Sequence, residues 1–258
     1  MTTPDRTWLV PDWGVPSSVR ALLTTRSGGS SEGVWGGADG HAGMNLGFGK
    51  DARESVESNR QELRTLLPQE PRWLHQVHGN GVLDAAHIGD LAADGDASFT
   101  TEAGVVCVVM IADCLPVLLA DSAGRAVAAA HAGWRGLACG VLQNTVRSMR
   151  GALGDSQARI LAYLGPAIGP ECFEVGGEVR DAMQAQLPDA HAAFVTTGPG
   201  KFHANLFDLA RQALAQVGVV DIRGGTHCTY CDRARYYSFR RDGATGRQAA
   251  LIWMQPCA

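Results

Sequence analysis

Cys114 and His131 stand where two apolar runs stop. The stretch "IADCLPVLLADSAGRAVAAAHAGWRG", residues 111–136, puts Asp113 and Cys114 directly after one run and His131 directly after the next. Strands usually end in turn residues; a thiol and an imidazole can instead hold a metal or attack carbon. Two more histidines, His75 and His78, lie in "PRWLHQVHG", residues 71–79. His78, Cys114 and His131 together offer two imidazoles and one thiolate. That set suits Zn2+, with bond lengths of about 2.0–2.3 Å, and three protein ligands leave the open position of a catalytic zinc site. A metal-free alternative makes Cys114 a nucleophile and His131 its base. The bland alternative is a satisfied core histidine and an inert buried cysteine.

Strands must bring these residues together. Val105 to Ile111 reads as a buried, β-branched strand. Asp113-Cys114 interrupts it, and Pro116 argues against an ordinary central ladder position there. Val117 to Ala120 resumes, "DSAGR" turns, and Ala126 to Ala130 returns antiparallel, carrying His131 back towards Cys114. "PRWLHQVHG" also reads as a strand. Alternation sets Trp73, His75 and Val77 on one face and Leu74, Gln76 and His78 on the other, so it supplies only one histidine to a given site.

"AGWRG" turns into a helix from Leu137 to Met149, with Val141, Leu142, Thr145, Val146 and Met149 inward. The glycine-rich residues 27–47 read as a long functional loop. A helix capped by Asp51 follows, burying Val56, Leu63, Leu66 and Leu67. Downstream, "ARILAYLG" is a strand and "PAIGPECFEVGGE" a loop leading to a helix near Val179 to Leu187. "NLFDLARQALAQVG" is a helix ended by Gly218, and "RYYSFRRDGATGRQAALIWMQ" a closing hairpin. Strands and helices without strict βαβ alternation imply a mixed, mainly antiparallel α/β or α+β fold.

The 258 residues are 45% hydrophobic, enough for a sizeable core in one large domain or two small ones. A net charge of −4 with no basic block points away from nucleic acid and anionic membranes, towards a small-molecule partner. "MTTPDRTWLVPDWG" lacks a signal-peptide core, and the longest apolar run, Gly104 to Ala112, is too short to span a bilayer, so a cytoplasmic protein is expected. Seven cysteines without regular spacing then read as mostly reduced. "HCTYC", residues 227–231, has no matching second pair and reads as buried thiols beside a loop rather than a second metal site.

Five motifs in order, "QVHG" (76–79), "ADCLPVLL" (112–119), "HAGWRG" (131–136), "GPAIGPECFEVG" (165–176) and "YSFRRDGATGR" (237–247), resemble the laccase-domain family. This is the multicopper polyphenol oxidase-like, YfiH/YlmD family, and "TTRSGG" and "MNLG" match its N-terminal pattern. The resemblance spans about residues 20 to 255, which makes 1–258 a single laccase-domain unit. It implies a four-layer α/β/β/α sandwich, an α+β fold with mainly antiparallel sheets. It also implies that His78, Cys114 and His131 bind one metal, usually zinc, selecting His78 over His75, which spacing leaves open.

Family members phosphorolyse purine nucleosides, including methylthioadenosine, and deaminate adenosine; some are called peptidoglycan editing factors. Purine nucleosides and phosphate are therefore the expected partners. Asp113 and His75 are the candidates for moving a proton, with Asp113 equally readable as a turn residue or one that orients a ligand. Arg26 and Arg135 are the candidates for holding phosphate, and Asn45 for a hydrogen bond to substrate. Eight histidines and no His-x-His pair are too few for a multicopper cluster, although a His2Cys site binds Cu2+ tightly. A cysteine amidase acting on cell-wall precursors and a non-catalytic binding protein are the competing classes.

Overall fold

The computed structural model describes residues 8–89 and 93–256. Its strands are β1 (Val19–Leu23), β2 (Ser27–Ser31), β3 (Val82–Asp84), β4 (Ala97–Thr100), β5 (Val106–Ile111), β6 (Leu115–Asp121) and β7 (Val127–Ala132). They continue as β8 (Ile160–Leu164), β9 (Glu174–Gly176), β10 (Phe194–Gly198), β11 (Lys201–Ala204), β12 (Asp221–Gly224) and β13 (Gln248–Met254). The helices are α1 (Arg53–Arg64), α2 (Trp134–Ala138), α3 (Val141–Leu153), α4 (Gly177–Gln186), α5 (Leu206–Ala215) and α6 (Phe239–Asp242).

Two sheets stack at the centre. One has the order β1-β13-β5, the other β12-β8-β6-β7-β4-β3; a small third sheet, β10-β11-β9, stands apart from both. Strand alternation divides the apolar residues between three cores. Ala250, Ile252 and Met254 of β13 face Leu118 and Ala120 of β6 and Val127 and Ala129 of β7, between the sheets. Ala249, Leu251 and Trp253 face outward onto Leu63 of α1 and nearby Leu67. Val117 and Leu119 of β6, with Ala128 and Ala130 of β7, face the layer built from α2, α3, α4 and α5. This is the expected α/β/β/α sandwich of an α+β fold.

Alternation also decides where the chemistry points. Cys114, just ahead of β6, shares parity with Leu118, and His131 shares parity with Ala129, so both project towards the gap between the sheets. The antiparallel register Leu115↔Ala132 and Pro116↔His131 sets them side by side. Residues 112–114 are the crossing from β5 in one sheet to β6 in the other.

Several local expectations change. Pro116 lies inside β6, a strand with neighbours on both sides. It is tolerated because its missing N–H would face β8, and the β6–β8 ladder starts only at Val117↔Leu164; its carbonyl accepts from Gly165 N at 2.9 Å. "PRWLHQVHG" forms no strand, only single bridges at Arg72 and His75. The Gln76 side chain replaces the ladder, donating to Met110 O at 2.9 Å and accepting from Met110 N at 2.8 Å.

Residues 27–47 are not all loop, since β2 and a 3-10 turn at Gly33–Trp35 lie within them. Asp51 does not cap α1. The N-cap is Ala52, and Asp51 instead accepts from Ser31 Oγ at 2.7 Å and Asn45 Nδ2 at 2.8 Å. Leu66 is exposed. The helix after "AGWRG" starts earlier, at Trp134, and breaks at Gly140, whose φ of 81° closes α2 before α3 begins. The closing hairpin is replaced by α6 and a loop. Every residue of β13 is buried, so it takes two distant neighbours, β1 and β5, rather than one local partner.

Candidate metal centre

Ligand atoms of His78, Cys114 and His131 lie within 4.8 Å of one another. The two imidazole rings meet edge to face with centroids 4.8 Å apart. His131 is 3% exposed, Cys114 half-buried and His78 exposed, so the trio runs from the interior to the surface.

Asp96, which sequence reasoning missed, organises both histidines. Its carboxylate accepts from His131 Nδ1 at 2.8 Å. It also accepts from the backbone N–H groups of Val77 at 3.2 Å, His78 at 2.9 Å and Gly79 at 2.6 Å. Those three consecutive amides form an anion-binding concavity around the carboxylate. It holds His78 at a φ of 61°, a left-handed conformation uncommon outside glycine. An aspartate in "ADGDAS" carries no signal for this, because only the fold lays β4 beside His131.

The same contacts set the charges. Burial alone pushes the Cys114 thiol up, but hydrogen bonds with His131 and His78 outweigh it and bring the pKa to about 6. Burial pushes the His131 imidazolium down, and hydrogen bonds to Asp96 and Cys114 reverse this, raising it to about 9. Asp96 stays below its usual range: burial opposes ionisation, but the His131 and backbone hydrogen bonds prevail. A thiolate and two imidazoles, one held at Nδ1 by a carboxylate so that Nε2 is left for a ligand, are donors that fit a borderline-soft divalent cation.

The trio opens into a cavity of about 600 Å³ lined by Phe48, His75, Trp134, Arg135, Phe173, Phe239, Arg240 and Arg247, among others. Arg60 braces one wall, its guanidinium 3.8 Å from the Trp73 ring and 4.4 Å from that of Phe48. His75 stands in the cavity, its Nδ1 2.7 Å from Asp94 and its side chain largely exposed. Arg135 also lines it, over the Trp134 ring at 4.3 Å. Arg240 and Arg247 lie in "YSFRRDGATGR", but sequence reasoning gave neither a role.

Arg26 and Asn45 are placed away from this cavity, while Asp113 lines it in the turn role that the sequence also offered. Arg26 is buried and donates to the carbonyls of Gly36 and Arg233, beside a different cavity. Asn45 is buried too. Its amide joins Asp51 and Gly47, and its Oδ1 accepts from Arg247 N at 2.8 Å. It therefore positions the Arg247 backbone and lines only the adjoining cavity. Asp113 has both carboxylate oxygens engaged, by Thr229 Oγ1 and Arg240 N, each at 2.6 Å. With a φ of 92°, it is the turn residue that aims Cys114.

Fold and site together define a class: four-layer α/β/β/α proteins with a His2Cys centre where the chain crosses between the sheets. The chain belongs to the family described as multi-copper polyphenol oxidoreductase laccase, whose model matches residues 20–255. It is 50% identical over 250 residues to a Pseudomonas aeruginosa protein named purine nucleoside phosphorylase, covering 96% of this chain and 98% of that protein. It is 47% identical over 249 residues to purine nucleoside phosphorylase YfiH of Escherichia coli, covering 95% and 98%.

The crystal structure of a Neisseria meningitidis protein superposes with a TM-score of 0.89 at 46% identity, covering 97% of this chain and all of that one. YlmD of Geobacillus stearothermophilus gives 0.87 at 32%, covering 99% and 98%. The multicopper description does not suit the donors present, since only two histidines, His78 and His131, enter a metal-competent cluster among the described residues. No helix among the described residues is long and apolar enough to cross a membrane.

Proposed function

We propose that this protein is a zinc-dependent purine nucleoside phosphorylase that also deaminates adenosine, with His78, Cys114 and His131 as the metal ligands. The observation that carries this reading is the Asp96-anchored trio at the base of a cavity walled by aromatic rings and arginines. The names of the relatives support the phosphorylase part. A Zn2+ ion held there would supply Lewis acidity to the reaction.

The chain's own residues supply the rest. Phe48, Phe173 and Phe239 offer apolar faces to a flat purine. Arg135, Arg240 and Arg247 set positive charge where phosphate must be held beside the ribose. In phosphorolysis a phosphate oxygen bonds to C1′ while the C1′–N9 bond breaks. Its electron pair leaves with the purine, which then takes up a proton. In deamination a water oxygen bonds to the ring carbon that carries the exocyclic amine, the C–N bond breaks, and the nitrogen takes up a proton from the water and leaves as ammonia. With Nδ1 held by Asp94, His75 has Nε2 to move that proton. The substrates in this reading include adenosine, inosine, guanosine and methylthioadenosine, in a cytoplasmic enzyme formed by one domain.

Purified protein assayed for bound metal and incubated with adenosine, with and without phosphate, tests this. About one zinc per chain is expected, with adenine and ribose 1-phosphate formed only with phosphate and inosine formed either way. Zinc-loaded protein that converts no purine nucleoside refutes the reading. A second reading rests on the lowered Cys114 thiol beside His131, the pairing of a cysteine hydrolase. It predicts amidase activity on cell-wall precursors that survives metal removal.

A further inference from the structure

A second group of sulfurs converges away from the trio. Cys172 lies in the turn before β9, and Cys228 and Cys231 in the segment after β12. Their Sγ atoms lie within 4.8 Å of one another, Cys172 and Cys231 at 3.2 Å. All three are free thiols, Cys231 exposed and the others half-buried. The thiols lie in a loop segment as expected but are not buried, and Cys172, remote in sequence, brings a third sulfur beside "HCTYC".

One of the three sulfurs, Cys228, sits among donors that suit a charged sulfur. Cys228 Sγ accepts from Gly169 N at 3.1 Å and from Cys231 N at 3.4 Å. N–H groups aimed at a sulfur favour the thiolate, the form that binds metals. Gly169 suits this close approach, because a Cβ there would lie 3.1 Å from both Cβ and Sγ of Cys228 and would push the sulfur back by a few tenths of an ångström. Two N–H donors on the first sulfur of a Cys-x-x-Cys turn, with a third sulfur opposite, make a preformed three-sulfur face.

We propose that Cys172, Cys228 and Cys231 form a second metal site, separate from the His78–Cys114–His131 centre, that takes a thiophilic cation such as Zn2+ or Cu+. Soft thiolates select such ions over Mg2+ or Ca2+. Each thiol that binds releases its proton to solvent, and no electron is transferred. The site fastens two walls of the first cavity: Cys172 adjoins Phe173, and Thr229, beside Cys228, holds Asp113 at 2.6 Å. Its role is therefore to stiffen the turn that aims Cys114.

The test is a Cd2+ titration of reduced, metal-stripped, full-length protein under anaerobic conditions, read by thiolate-to-metal charge-transfer absorbance. Wild type is expected to bind two equivalents. Cys231→Ser, an exposed change that leaves the fold intact, should lose one equivalent with the larger share of the absorbance, and Cys172→Ser should match it. Cys114→Ala should lose the other equivalent and keep the strong band. A single equivalent that depends on Cys114 alone overturns the proposal. So does a second equivalent untouched by both serine variants, or a Cys172–Cys231 disulfide in the protein as isolated.

Discussion

Asp96 accepts hydrogen bonds from three successive backbone amides and from His131, so one buried carboxylate fixes both the His78 turn and the His131 tautomer. Asp96→Asn keeps the shape but turns an NH2 towards donors. Hydrogen bonds to charged groups contribute about 1.5–3 kcal/mol, and losing a carboxylate behind a ligand histidine costs roughly 10–100-fold in metal affinity. Competition against a chromogenic chelator should read that loss, together with a lower Tm; unchanged affinity would remove Asp96 from the site.

The thiol offers a pH test. With a pKa near 6, Cys114 is a thiolate above that value and protonated below it, while His131 keeps its proton up to about 9. The stripped protein therefore holds an ion pair between about pH 6 and 9, lost on the acid side at Cys114 and on the alkaline side at His131. Iodoacetamide labelling of Cys114, followed by peptide mass, should rise with a midpoint near 6. His131→Ala should move that midpoint upward, and a wild-type midpoint near that of an ordinary thiol would refute the pairing.

At the scale of elements, the junction of β7 with α2 is packed against the proposed metal ligands. A Cβ on Gly133 would lie 2.9 Å from Cys114 Sγ and 3.5 Å from His78 Cδ2. Gly133 has a φ of −64°, which alanine adopts freely, so Gly133→Ala acts by contact alone. Zinc affinity should fall tenfold or more while the stripped variant unfolds within a few degrees of stripped wild type. A large drop in stripped-protein Tm with affinity retained would instead make Gly133 a folding residue. The antiparallel return from "ADCLPVLL" to "HAGW" was legible because it is local and bounded by a turn. β13 was misread as half a hairpin because its partners, β1 and β5, are remote along the chain.

For the whole molecule, the centre joins three separately anchored pieces: the 75–79 turn tied to β5 through Gln76, the crossing between the sheets, and β7. Metal ligation at the proposed site would therefore stabilise a junction between sheets whose three apolar cores form without it. A ligand present at a hundred times its Kd adds about 2.7 kcal/mol, and for a chain of this size each kcal/mol moves Tm by about 2–4 °C. Zinc at that ratio should raise Tm by roughly 5–10 °C over chelator-treated protein. The far-ultraviolet circular dichroism of the two forms should coincide. Loss of secondary structure on stripping would show instead that the metal is part of the core.

The sequence by itself determined the antiparallel approach of Cys114 and His131 and the inward face of α3, whereas the parity that points both side chains into the gap between the sheets came from the register of the folded strands. The approach and the inward face follow from local periodicity and turn chemistry. The motif order carried the four-layer sandwich and the choice of His78 over His75. Only the tertiary structure decided which polar and charged residues reach the cavity. Arg26 and Asn45 have suitable types but are consumed by backbone carbonyls and a neighbouring loop, whereas Arg240 and Arg247 arrive from the far end of the chain. Asp96 and Cys172 were invisible for the same physical reason: a carboxylate or thiol acquires its role from partners brought within hydrogen-bonding or van der Waals reach by folding.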